Sequence, residues 1–214
     1  MVYTKFLALA GVAAMLAACG GDSDSNAKGT EPVEDLPTAM FEGPLTDARD
    51  GQTYKTVTIG LQTWMAQNLN YEMANSYCYN NESANCPTYG RFYTWAAAMM
   101  ACPTGWHLPS ETEWQTLFTV VGGSTVAGIV LKSQSGWSKN GNGMDAYGFS
   151  ALPAGYRDYR GEYINEGYGA HFWSSAGSLS GGAFYMVMYS DIDNAYLYDI
   201  SKNTGNSVRC VKDE

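Results

Sequence analysis

Four cysteines inside an exported chain narrow the fold more than any other feature of this sequence. The first eighteen residues carry one basic side chain, Lys5, and then an apolar run from Phe6 to Leu16. That run is too short to cross a bilayer as a helix and has the composition of a cleaved secretion leader. Beyond it stand Cys19, Cys78, Cys86, Cys102 and Cys210. In an oxidising compartment the last four are expected to pair, and four cysteines permit three connectivities. No C-x-x-C spacing occurs, and the two histidines, His107 and His171, stand far apart, so zinc is not expected. The reading is two disulfide staples, with no thiol chemistry, no metal and no cofactor.

Leu16-Ala17-Ala18-Cys19 sets small residues before a cysteine. It resembles a bacterial lipoprotein signal, which implies a leader over 1–18, cleavage before Cys19 and lipid on that cysteine. The expected location is exported and lipid-anchored, at the outer membrane and facing outward. Residues 19–46 then read as the lipidated cysteine and an acidic tether. Gly20-Gly21-Asp22-Ser23-Asp24-Ser25-Asn26 and two prolines, Pro32 and Pro37, offer nothing that could bury a core. Random-coil scaling gives such a stretch a span of about 28 Å. The acidic patch resembles surface-export signals of lipoproteins from the Bacteroidetes–Fibrobacter group, and an ordinary solvated linker has the same composition.

Without the leader, 196 residues remain, with 21 acids against 11 bases and a net charge of −10. That balance argues against nucleic acid and against adsorption to anionic lipid, both of which need a basic patch. Membrane contact is expected through the lipid alone. The remaining length, 47–214, fits one domain with a real core. Few charges, 24 glycines and 16 tyrosines suit a β- and loop-rich domain.

Along the domain, Thr53–Ile59 and Gln62–Met65 read as a hairpin across Gly60-Leu61. The Asn-, Tyr- and Cys-rich stretch 70–90 reads as a loop closed by Cys78 and Cys86. Thr94 starts a short helix, Trp95–Ala101, which Pro103 and Gly105 stop. Trp106-His107-Leu108 has the character of a short buried strand. Ser110 and Glu113 form a capping box, and Trp114, Leu117, Phe118 and Val121 follow at i, i+3, i+4 and i+7, one apolar helix face. Gly122-Gly123 ends that helix, and Val126–Leu131 is a further short one. Two alternating runs, Ala183–Tyr189 and Ala195–Ile200, form a second hairpin, and Val208–Val211 a last strand. Trp95, Trp106, Leu108, Trp114, Leu117, Phe118 and Trp173 are the expected core.

These residues carry a resemblance. Asp50-Gly51, Gly60, Gln62, Trp64-Met65-Ala66 and Asn68-Leu69 open it. Tyr93–Ala98, Cys102-Pro103, Gly105–Pro109, Glu113-Trp114, Gly148–Arg157, Phe172–Ser175 and Val208–Val211 continue it. Over about 47–212 the pattern resembles the Fibrobacter succinogenes major paralogous domain family. More distantly, Trp106–Trp114 is similar to the strand–helix signature of formylglycine-generating-enzyme-like domains. The order of helices and late cysteine is similar to a C-type-lectin-like domain. The resemblance implies an α+β fold with two short helices, short antiparallel strands and long loops. It also implies Cys102–Cys210 as the long disulfide, which leaves Cys78–Cys86 as the local one.

Three functions compete on this reading. The first is a non-catalytic surface binding module for glycan or another surface polymer, or for a surface protein. Its candidate residues are Tyr156, Arg157, Tyr159, Arg160 and Tyr163, where flat rings alternate with bidentate donors. The second is a structural or assembly part of the envelope without a small ligand. The third, an enzyme of the formylglycine-generating type, needs a reactive thiol that four paired cysteines do not leave. No G-x-S-x-G elbow is present either, so no catalytic residue is assigned. Calcium is weighed at Asp191, Asp193 and Asn194 and set aside, because that cluster offers few of the six to eight oxygens calcium takes. The anchor is directly testable: metabolic lipid labelling should mark the wild-type protein and not a Cys19→Ser variant, and an unlabelled wild type would refute it.

Overall fold

The structure, a computed structural model, describes residues 40–214. The leader, Cys19 and the tether up to residue 39 lie outside the described residues. The first element is already a departure from expectation. Met40–Thr46, assigned by composition to the end of the tether, forms strand β1 along β2, Thr53–Ile59. Gly43 and Pro44 make this segment read as linker, but Pro44 falls at a register shift on an edge strand, where a missing N–H costs no ladder bond. The Thr56 hydroxyl donates to the Gly43 carbonyl at 3.0 Å and fixes the irregularity.

β2 turns at Gly60-Leu61 into β3, Gln62–Met65, as the hairpin pattern requires. Four further short strands follow: β4, Ser76–Tyr77; β5, Phe92–Tyr93; β6, Trp106–His107; and later β7, Tyr156–Arg157. The helices are α1, Cys86–Tyr89; α2, Trp95–Ala98; α3, Glu111–Val120; and α4, Ser124–Leu131. β8, Tyr163–Ile164, pairs with β7. The chain closes with β9, Gly169–Gly177, β10, Ala183–Tyr189, β11, Ala195–Ile200, and β12, Val211–Lys212. A five-stranded antiparallel sheet runs β1-β2-β3-β12-β6, and a three-stranded sheet runs β11-β10-β9. The result is a mixed α+β domain of a few short helices and several small antiparallel sheets.

The capping box forms as read: the Ser110 hydroxyl accepts from Glu113 N–H, and the Glu113 carboxylate accepts from Ser110 N–H at 2.7 Å. α3 thereby aims Trp114, Leu117 and Phe118 inward, all buried. Trp114 meets Trp64 of β3 at 4.7 Å between ring centroids, and both meet Phe149 edge-on. This cluster also takes in α4 and the Met186–Met188 side of β10. The opposite side of the same small sheet, with Trp173, Tyr185 and Val187, packs into a second cluster that holds Leu108 and Cys210.

Two expected core residues lie at its margin instead. Trp95 and Trp106 are half-buried. Trp95 caps the second cluster with its indole N–H on the Ser174 carbonyl at 2.9 Å, and Lys202 covers the outer ring face at 4.3 Å. α2 is also shorter than expected, ending in a turn after Ala98. Both disulfides are present, Cys78–Cys86 and Cys102–Cys210.

At the junction of the two sheets sits Arg209, with no exposed surface. Its Nε donates to Asn68 Oδ1 at 2.7 Å. Its two Nη atoms donate to the carbonyls of Met65, Phe149 and Ser150 at 3.0, 2.6 and 3.0 Å. The guanidinium lies over Phe149 at 4.8 Å and Phe172 at 5.5 Å. It makes no salt bridge among the described residues, and burial pulls its pKa down to about 9. Removing it orphans four buried acceptors and opens a cavity. Arg209→Ala should therefore cost about 3–5 kcal/mol in denaturant unfolding, and a loss below about 1 kcal/mol would show that the network is not structural.

Candidate functional site

The β7–β8 hairpin carries all five residues read as a binding segment, and it divides them. Asp158 builds the turn, its Oδ1 accepting from the backbone N–H groups of Arg160 and Glu162 at 2.8 Å each. Tyr159 and Arg160 stand exposed at the tip, where Arg160 Nε donates to the Tyr159 hydroxyl at 2.9 Å. Arg157 folds back over the Tyr77 ring at 4.0 Å. Tyr163 packs 5.2 Å from Tyr79 and 6.1 Å from Phe92, and its hydroxyl donates to Asn81. Arg157 and Tyr163 thus hold the hairpin down, Tyr159 and Arg160 face water, and Tyr156 turns toward the three-stranded sheet.

That sheet presents a larger aromatic surface. On antiparallel strands, alternate residues share a face. The register pairs Tyr185 with Tyr198 and with Trp173, and Val187 with Tyr196 and with His171. The side that packs against the second cluster therefore collects Tyr185 and Tyr189 from β10, Tyr196 and Tyr198 from β11, and His171 from β9, and it comes to the surface toward β11. Tyr156 lies 4.6 Å from His171 between ring centroids, and His171 lies 5.6 Å from Tyr185. Tyr185 continues to Tyr198 at 6.5 Å, and Tyr198 to Tyr196, stacked at 5.5 Å. At the other end His171 meets Tyr189 at 5.9 Å, and Tyr189 meets Tyr168 at 5.5 Å. Seven rings make one continuous tract across β7, β9, β10 and β11. Burial grades along it, from His171 at 3 % exposed to Tyr198 at 48 % on the edge strand.

The imidazole at the centre is a packing element. His171 is buried, both ring nitrogens lack a hydrogen-bond partner, and burial pushes its pKa down to about 3. It stays neutral and presents an aromatic plane to its tyrosines. Burial likewise holds the Tyr156, Tyr185 and Tyr189 hydroxyls protonated well into alkaline solution. The tract therefore carries no charge of its own. Its hydroxyls and ring faces can hydrogen-bond and stack.

The loop with Asp191 and Asp193, weighed as a calcium site, is organised by a lysine. Lys132 is buried at the end of α4, and its ammonium donates to the carbonyls of Tyr189 and Ile192 at 3.1 and 3.0 Å. Asp191 and Asp193 supply favourable charge around it. Two oxygens that a cation would use are taken by this ammonium. No group of three or more metal-ligating side chains occurs among the described residues.

His107, the other histidine, bridges two carboxylates. Its Nδ1 lies 2.6 Å from Asp213 and its Nε2 2.7 Å from Glu113, the capping residue of α3. Partial burial pulls its pKa down, but the hydrogen bonds to Asp213 and Glu113 outweigh that and leave it above its ordinary value. It ties β6, the C-terminal residues and the start of α3 together.

The fold and these surfaces define a disulfide-stapled α+β domain with a neutral aromatic face. Residues 57–212 match the Fibrobacter succinogenes major domain, and the chain belongs to that family. No curated protein and no solved structure matches it. Of the tract, only Tyr156 is legible as a candidate from local composition. The missed signal is the spacing of Tyr185 and Tyr189, and of Tyr196 and Tyr198, at even intervals in two alternating runs.

The His107 bridge gives a pH test. A histidine whose folded pKa is raised stabilises the fold fully below its unfolded value, near 6.5, and loses that contribution as pH rises through the folded value. The difference in melting temperature between wild type and His107→Gln should therefore shrink on going from about pH 6 to about pH 9. A difference that grew or stayed constant would refute the bridge.

Proposed function

We propose that the protein is a non-catalytic binding module, held at the outer face of the cell envelope by lipid on Cys19, which grips a polysaccharide along the tyrosine tract. The observation that carries this reading is the continuous line of six rings, with Tyr156 branching from it at His171, that reaches from Tyr168 to half-buried Tyr196 and exposed Tyr198 on the edge strand. Sugar rings offer C–H faces for stacking and hydroxyls for tyrosine hydroxyls, and a row of rings suits a repeating polymer. Binding does not depend on calcium, because Lys132 organises the loop where an ion would sit. Affinity per copy is weak, and display of many copies on one surface compensates.

Within this reading the architecture is C-type-lectin-like. Support comes from Cys102, just past α2, joined to Cys210, just before the last strand, with long loops between. All four domain cysteines are in disulfides, which speaks against formylglycine-type thiol chemistry. The alternative is an envelope assembly part whose tyrosines serve packing alone.

Tyr196→Ala with Tyr198→Ala separates the two. On immobilised polysaccharides that retain the wild type, the double variant should bind roughly tenfold more weakly, the worth of two stacking rings. Its melting temperature should stay within about 2 °C of wild type. Undiminished retention would remove the tract from binding, and a large fall in melting temperature would favour the assembly role.

A further inference from the structure

A second site lies in a cleft that shares no residue with the tyrosine tract. It has a volume of about 510 Å³ and opens between the β2–β3 hairpin and the segment that the Cys78–Cys86 disulfide closes. That volume is ample for a saccharide unit. The chain carries 21 acids against 12 bases, yet no acidic side chain lines this cleft. Its charged lining residue is Lys55, whose ammonium has no partner among the described residues.

The remaining lining is rich in donors. Gln67 accepts the Lys55 backbone N–H on its Oε1 at 2.8 Å, which leaves its side-chain N–H₂ to the cleft. Asn70 is fixed through its backbone, its N–H donating to the Tyr54 hydroxyl at 3.1 Å and its carbonyl accepting from Gln52 at 3.1 Å. Its side-chain N–H₂ makes no hydrogen bond among the described residues. Behind this wall stands the buried charge of Arg209, which donates to Asn68 Oδ1 and to the Ser150 carbonyl, both residues of the lining. Arg209 and Lys55 thus put positive charge beside a cleft without an acidic lining residue, and Asp145 offsets part of the first.

The wall is also rigid before any ligand arrives. Gly90 has φ +72°, and a Cβ there would stand 2.6 Å from Asn68 Cβ. Ser150 holds φ +52°, a conformation a serine rarely takes, and Asp145 pins it by accepting from its N–H at 2.6 Å and from its hydroxyl. Strain kept in place by its surroundings at a cleft wall is a mark of a preorganised site.

We propose that this cleft binds a saccharide unit bearing a carboxylate. The carboxylate meets the Lys55 ammonium and the amide N–H groups of Gln67 and Asn70. The hydroxyls meet Thr53 and Thr88, and the sugar's apolar face rests against Leu152. The proposal stands independently of the tyrosine tract.

The test is calorimetric or NMR titration of the full-length protein with galacturonate and glucuronate, alongside the neutral galactose and glucose, and with acetate. At least one uronate should saturate with a Kd on the order of millimolar, at least about tenfold tighter than its neutral counterpart and than acetate. Raising the salt from about 50 mM to about 500 mM should weaken it severalfold. Lys55→Gln and Gln67→Ala, both at exposed positions, should each weaken it about fivefold or more. The Tyr196→Ala, Tyr198→Ala variant should bind uronate as wild type does, which keeps the two sites distinguishable. Failure of both uronates to saturate below about 50 mM would overturn the proposal. So would equal affinity for the neutral sugars, equal affinity for acetate, or an unchanged Lys55→Gln titration.

Discussion

A guanidinium buried without a salt bridge among the described residues organises this domain. Arg209 is one residue from the Cys102–Cys210 disulfide, and its hydrogen bonds reach the end of β3, the Asn68 turn and the Phe149-Ser150 loop. Desolvating such a charge is costly, so all of these partners must be in place together for it to be tolerated. Its planar face closes over Phe149 and Phe172, and Phe149 in turn meets the Trp64–Trp114 pair. The polar network and the largest aromatic cluster are therefore one structure. Either alone would be unstable: the charge without its carbonyls, or the carbonyls without a donor in a dry core.

The disulfides reinforce the same region. Cys102–Cys210 closes a loop of about 108 residues, which in chain-entropy terms removes roughly 4–5 kcal/mol of freedom from the unfolded chain. It brings the end of α2 to the strand beside Arg209. Cys78–Cys86 secures the segment where α1 and Gly90 press on Asn68.

What the sequence makes legible follows physical range. The Ser110–Glu113 box and the Trp114, Leu117, Phe118 face are local patterns, and α3 forms as they dictate. The alternating runs 183–189 and 195–200 pair in full register. β1 is missed because glycine, proline and exposed apolar side chains read as linker until an edge strand is there to accept them; Phe41 is 70 % exposed even when paired. Trp95 and Trp106 look like core by composition, yet both lie at the margin of the second cluster, where Trp95 donates its indole N–H to the Ser174 carbonyl. Arg209 reads as a family motif and nothing more, because its meaning lies in carbonyls at sequence separations of 59 to 144 residues. The tyrosine tract is hidden for the same reason: three strands and a hairpin must assemble before its rings touch.

The long disulfide also has a mechanical meaning. Every residue of the tyrosine tract lies between Cys102 and Cys210. For a domain held from its N-terminus and loaded by a polymer at the tract, tension enters at β1 and can peel out chain only as far as Cys102. From Met40 that is about 62 residues, of which the Cys78–Cys86 disulfide, with a sequence separation of 8, locks out a loop, leaving at most roughly 200 Å of contour at the reach of extended backbone. Beyond that point the pull falls on a covalent S–S bond. The tyrosine tract sits on the inextensible side of that bond and the first strand on the yielding side, so a domain loaded in this way would lengthen before the tract moved.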